Sequence, residues 1–215
     1  MIKADLHIHT RYSPDSNNSL DDIIAQCLKK GINCLAVCDH GTTEGALKLQ
    51  AIAPFKVIVA EEILTPHGEI MGMFLKETIP SLMTPQETIR RIREQNGLVC
   101  IPHPFDKYRS SAFQGINLEE IKEDIDIIEV QNARTLPFQD RTQALKFAVR
   151  NNFRQSAGSD AHTISEIGVS FVEMPDFNGK EDFLTALEQG KISGRSSSPL
   201  VHFLSVKNKI MKRFK

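Results

Sequence analysis

Asp5-Leu6-His7-Ile8-His9-Thr10 decides how this chain is read. Side chains alternate faces in an extended segment, so His7 and His9 point the same way and together can grip one metal ion. Ile2 and Ala4 give the strand an apolar lead-in, and Leu6 and Ile8 are expected on its buried face. Two buried histidines satisfied by hydrogen bonds would produce the same local pattern. The rest of the chain separates the two readings.

Beyond this strand, short apolar runs alternate with amphipathic helices. Ser19 is a helix N-cap with Asp22 three residues on; Leu20, Ile23, Ile24, Cys27 and Leu28 share one face, and Gly31 ends the helix. Thr84-Pro85 opens another helix with Glu87 in a capping box, and Gly97 closes it. Strands are expected at 34–38, 56–62, 69–75, 98–101, 127–131, 155–159 and 169–174, and helices at 43–53, 138–151 and 180–189. Strand-then-helix repetition predicts a parallel α/β fold. The ligand-type residues recur after strand ends, and in a parallel barrel those ends meet on one face. A site fed by so many ends favours a ring over an open sheet.

The 215 residues fit one domain spanning 1–215. Twenty-six basic and 27 acidic residues leave a net charge of −1, which gives no global attraction to nucleic acid or membrane. The four cysteines form no C-x-x-C pair and read as core thiols of a reducing, cytoplasmic compartment. No leader and no membrane-spanning apolar run is expected. Residues 203–215 form a basic amphipathic tail, expected to pack on the barrel, and His202 is read as structural.

Five of the seven histidines stand at expected strand ends: His7, His9, His40, His103 and His162. Asp15, Glu62, Glu69 and Asp160 stand beside them. Mixed imidazole and carboxylate donors suit zinc, manganese or iron(II). Nine such groups exceed what one ion needs, so two or three ions are expected.

The motifs Asp5-Leu6-His7-Ile8-His9-Thr10, Ser13-Pro14-Asp15, Asp39-His40-Gly41-Thr42, Glu62, Pro102-His103-Pro104 and Gly158-Ser159-Asp160-Ala161-His162, taken in this order, resemble the polymerase and histidinol phosphatase (PHP) family of metal-dependent phosphoesterases. The resemblance implies a distorted seven-stranded (β/α)7 TIM-like barrel with a trinuclear site at its C-terminal face. It implies that His7, His9, Glu62 and Asp160 hold the first ion, that Glu62 bridges to a second held by His103, and that Asp15, His40 and His162 hold a third. The family's second ion usually gains a histidine from the next strand. Here Glu69-Ile70-Met71-Gly72 stands at that place, so Glu69 is the expected donor and His67 the alternative. A carboxylate there favours manganese or iron over zinc.

Asp5 and Asp39 neighbour ligand histidines and are expected to orient them. Arg134 and Arg195 are candidate phosphate clamps, because a planar guanidinium suits bidentate binding. Lys107 and Arg109 lie in a loop, Phe105 to Gly115, long enough to cover the site. The implied activity is hydrolysis of a phosphomonoester or nucleotide phosphodiester by a metal-activated hydroxide. The general acid is unassigned: a water on the third ion, or His40 if that ion is absent. The partner is a small phosphorylated substrate or nucleotide, and the neutral charge balance argues against long nucleic acid. The competing readings are a non-catalytic metal- or nucleotide-binding regulatory module, and a barrel amidohydrolase, which would need a bridging lysine where Glu62 stands. Oligomeric state is left open.

Overall fold

A computed structural model describes residues 1–215 except 137, 141, 199, 202–204, 206, 207, 209 and 213–215. His202 and the apolar tail residues Phe203, Leu204, Val206 and Phe214 therefore lie outside the described residues. The order is β1 (Ile2–Ile8), α1 (Leu20–Lys30), β2 (Cys34–Val37), α2 (Glu44–Ile52), β3 (Lys56–Thr65), β4 (Gly68–Met73), α3 (Pro85–Glu94), β5 (Leu98–Ile101), α4 (Gly115–Ile121), β6 (Ile127–Asn132), α5 (Thr142–Arg150), β7 (Arg154–Gly158), β8 (Ser170–Met174), α6 (Gly179–Glu188) and β9 (Lys191–Gly194).

Among the described residues the sheet has nine strands, not the expected seven, in the order β7-β6-β5-β4-β3-β2-β1-β8-β9. It is not wholly parallel. β4 runs antiparallel to both β3 and β5, and β8 and β9 continue the sheet antiparallel beyond the first half of β1. β9 escapes sequence reading because Lys-Ile-Ser-Gly carries one apolar residue and no buried one. The sheet nearly closes: Asp160 N–H donates to His7 O at 2.7 Å and His9 N–H to Ala161 O at 3.0 Å. Closure is thus made at the ends of β1 and β7, where the candidate ligands stand. Gly158 permits it, since a Cβ there would lie 2.2 Å from His7 Cβ.

Two apolar layers flank the sheet. Inside the ring lie small or slender residues such as Ala4, Cys34, Ala36, Cys38, Ala60, Met71, Cys100 and Ala157, with Phe183, Ala186 and Leu187 of α6 in the same cluster. Outside, Ile23, Leu49, Ile92, Leu118 and Phe147 cover the sheet from the helices. Period-2 alternation explains where ligands appear: Ile58 and Ala60 face inward, and Glu62 is the next inward residue of β3. Because β4 is antiparallel, Glu69 comes from its beginning rather than its end.

β1 departs from the expected alternation. Leu6 packs inside the ring and Ile8 outside it. The β1–β2 register shifts between Asp5 and Ile8, an irregularity that changes the strand's parity. His7 and His9 still share the inner side, above Leu6. The four cysteines are buried and unpaired, and among the described residues no helix is long and apolar enough to cross a membrane.

Candidate metal centre

The inward residues at one mouth of the ring form a dense cluster. His7 Nε2 and His9 Nε2 are 3.2 Å apart. Glu62 Oε2 lies 3.4 Å from the first and 3.5 Å from the second, and Asp160 Oδ1 lies 3.6 and 3.3 Å from them. A regular tetrahedron with ligand distances of about 2.1 Å has edges of about 3.4 Å. Five of the six separations among these four atoms match such an edge, as expected of side chains that could share one divalent ion. Glu62 Oε2 and Asp160 Oδ1 are buried without any hydrogen-bond partner, a state that is costly unless a cation meets it.

Two further groups adjoin this one. Glu62 Oε1 is 2.7 Å from His103 Nε2, and Glu69 Oε2 is 3.7 Å from the same nitrogen, while Glu69 Oε1 is 3.3 Å from His40 Nδ1. Asp15 Oδ2 stands 3.4 Å from His40 Nε2 and 3.2 Å from His162 Nε2. His40 Nδ1 also lies 3.4 Å from Glu62 Oε2, which joins the groups into one centre. All nine expected donors meet here. His67 is exposed in the β3–β4 turn and belongs to none of the ligand groups found among the described residues.

The local conformations are unusual where ligands leave the strands. His103 and Asp160 have φ of 32° and 55°, positive values that cost a non-glycine residue energy and cluster at functional sites. Glu129 Oε1 lies 3.1 Å from His7 Nδ1, and its Oε2 accepts from His103 N–H at 2.7 Å and Asn132 Nδ2 at 3.0 Å. Glu129 thus orients His7 and the His103 turn together. The sequence signal for it was a lone carboxylate inside the apolar run Ile127-Ile128-Glu129-Val130.

Charges in the centre compensate one another. Burial raises the Glu62 and Asp160 carboxyls, but His7 and His40 beside Glu62, and Arg109, His7 and His9 beside Asp160, hold both well below the usual carboxylate range. Burial opposes a charge on His40, yet Glu62, Asp15 and Glu69 raise it to about 10. Burial and the neighbouring His162 push His9 down to about 4. Glu69 is raised by burial and by repulsion from Glu62.

The family model for the PHP domain matches residues 5–73, and that for the PHP-associated region matches residues 139–192. An uncharacterized protein of Methanocaldococcus jannaschii, MJ0417, is 34% identical over 197 residues, which cover 87% of this chain and 79% of the relative. The chain belongs to the PHP family. Two solved structures share the fold of this PHP protein. One is a two-domain protein from Bacteroides vulgatus containing a predicted PHP-like metal-dependent phosphoesterase, with TM-score 0.67 and 15% identity over 90% of this chain and 65% of that one. The other, a putative metal-dependent phosphoesterase from Bifidobacterium adolescentis, has TM-score 0.61 and 16% identity over 74% of this chain and 87% of that one.

Several expected roles differ in this PHP protein. Asp5 does not touch an imidazole. It accepts from Ser159 N–H at 2.8 Å, Ser159 Oγ at 2.5 Å and Gly168 N–H at 2.7 Å, so it ties β1 to the turn after β7. Burial pushes its carboxyl up to about 6 against those donors. Asp39 accepts from Thr10 N–H at 2.6 Å and Thr10 Oγ1 at 2.5 Å, which fixes the loop leaving β1. Both accept from backbone and hydroxyl donors rather than from histidine rings.

Arg134 is 4% exposed, with Nη1 2.7 Å from His162 Nδ1, Nη2 donating to Val201 O and Ser205 Oγ, and Nε 3.3 Å from Glu166 Oε1. Arg195 is exposed after β9 and makes no hydrogen bond or ion pair with the nine donors among the described residues. Arg109 reaches the centre, donating from Nη2 to Asp160 Oδ2. Its loop is anchored: Phe113 is fully buried against Gly68, and Glu69 N–H donates to Ser111 O at 2.7 Å.

Proposed function

We propose that the protein is a metal-dependent phosphoesterase that hydrolyses a phosphomonoester or a nucleotide phosphodiester at a centre of two or three divalent ions. The observation that carries this reading is the nine-residue cluster, with two buried carboxylate oxygens beside the His9 ring nitrogen and left without hydrogen-bond partners. Family membership and the likeness to predicted and putative metal-dependent phosphoesterases support it.

His7, His9, Glu62 and Asp160 would hold one ion; Glu62, His103 and Glu69 a second; and Asp15, His40 and His162 a third. Bound cations of this kind lower the pKa of water and neutralise phosphate oxygens. Glu69 supplies a hard oxygen donor and so favours manganese or iron(II).

The remaining residues orient and bind. Glu129 keeps the proton on His7 Nδ1, leaving Nε2 as the donor atom. His162 Nδ1 lies 2.8 Å from Asp160 O as well as close to Arg134, and it cannot donate to one while accepting from the other. In the tautomer that leaves Nε2 unprotonated, Nδ1–H donates to Asp160 O. Arg109, 20% exposed on its side chain, is the guanidinium best placed to meet a phosphate at the mouth. Arg195 would contribute only if substrate extends to β9. His40, partly exposed at the rim, would donate the proton to the leaving group only where the third ion is absent, since as a ligand of that ion it gives its proton up.

The test is metal analysis of the purified protein beside hydrolysis of an aryl phosphate and a bis-aryl phosphate with added manganese. Two to three ions per chain with turnover is the expected result, and the preferred ester assigns mono- or diesterase. Bound metal without turnover of either ester, or of nucleotides, would support a binding module instead.

A further inference from the structure

Lys212 lies near the C-terminus, yet its ammonium sits on the loop that carries Asp15. It donates to Arg11 O at 2.7 Å, Ser13 O at 2.6 Å and Ser16 O at 2.5 Å. An ammonium has three N–H groups, and all three converge on carbonyls of one loop. Asn208, four residues earlier, accepts from Asn17 Nδ2 at 2.7 Å and donates to Asp15 O at 3.4 Å.

The loop's other polar groups point inward. Ser16 Oγ donates to His9 O and His162 O, and Asn18 Nδ2 to His9 O and Ala161 O. Ser13 Oγ donates to Asp15 Oδ1 at 2.7 Å, leaving Asp15 Oδ2 toward His40 and His162. A solvated surface lysine gains little from one exposed acceptor and loses side-chain entropy in holding it. Three carbonyls of one loop held at once is the geometry of a clamp.

We propose that Lys212 is a positioning residue: it holds the loop after β1 in the shape that presents Asp15 to His40 and His162, so that the C-terminal segment completes this part of the metal centre. The role of that part as a third-ion site rests on the phosphoesterase reading. The clamp has a definite sign. A cation near a cation site disfavours the ion by Coulomb repulsion, so simple electrostatics predicts tighter binding when Lys212 is removed, and positioning predicts weaker binding.

The experiment compares the full chain with Lys212→Met, Lys212→Gln and the exposed control Lys29→Met. Amide hydrogen exchange is followed in the metal-free proteins, and manganese binding by equilibrium dialysis. With Lys212 replaced, exchange at 11–18 accelerates and the weakest-bound ion loses affinity, each by about tenfold or more, as expected for lost hydrogen bonds to a charged group. β1, β7 and the tighter ions stay unchanged, and so does Lys29→Met. Unchanged exchange at 11–18 in both variants overturns the proposal. So does a third ion held as tightly as before, or more tightly. If the unaltered protein binds only two ions, the third-ion reading fails by itself, and exchange alone then decides the clamp: faster at 11–18 upholds it, unchanged rates reject it.

Discussion

His7, His9, Glu62 and Asp160 are carried by strands or by the residues just past them, and their side chains are sealed from solvent. Asp15 and His40 belong to loops, with side chains 15% and 26% exposed, and the Asp15 loop is held by residues some 200 positions away in sequence. The first group inherits its geometry from the sheet. The second needs additional fastening, by Asp39 on Thr10 and by Lys212 on three carbonyls. A centre assembled this way has a rigid floor and a rim whose shape depends on remote parts of the chain.

The largest expected effect separates the two groups directly. Asp160→Asn should remove the first ion and lower phosphoester hydrolysis by more than about a hundredfold, beyond the range for residues that only orient ligands. Asp15→Asn should cost one ion and leave the others bound. Metal analysis of both variants checks this, and equal losses in the two would erase the distinction between floor and rim.

Glu129→Gln comes next. The amide keeps the shape but not the charge facing His7 Nδ1, so metal affinity or activity should fall about 10–100-fold with the fold intact. Calorimetric titration with manganese would measure it.

Acidity separates individual histidines within both groups. A metal ligand must be unprotonated, and His40 on the rim keeps its proton up to about pH 10 in the metal-free protein. Loading at pH 7 must therefore release that proton, so affinity rises with pH through this window, by about tenfold per unit for each proton released. On the floor, His9, pushed to about 4, is already neutral and releases none, whereas His7, opposed by burial but raised well above its ordinary value by Cys38, Glu129, Asp160 and Glu62, releases one as well. Titrations in buffers of different ionisation heat count the protons, and His40→Ala should reduce the count by about one.

The last effect is read on stability. Gly158→Ala sets a Cβ 2.2 Å from His7 Cβ and 2.7 Å from His7 N, so β7 and β1 must part. Destabilisation of about 1–3 kcal/mol is expected from such overpacking, read by urea denaturation.

The floor was legible in sequence because strand periodicity is local: His-x-His and the acidic end of β3 announce their own faces. The ring was legible for the same reason, but its edges were not. β9 is too short and too polar to signal a strand, and the antiparallel β4 is disguised by a hairpin turn at His67. The roles of Asp5 and Asp39 were misread because adjacency to a histidine in sequence says nothing about which group the carboxylate turns to. Both found backbone and hydroxyl donors instead. Arg134 carries no sign in sequence of its burial against His162 and Glu166, and nothing local in the basic tail points to the Asp15 loop. Such contacts are set by tertiary packing across most of the chain.

The central claim is that these side chains enclose divalent ions, and the most direct test is an anomalous difference map from manganese-soaked crystals. Peaks among His7, His9, Glu62 and Asp160, and again beside His103 and Asp15, are predicted. A map without a peak among the first four, with Glu62 and Asp160 still facing the two histidines, would contradict it.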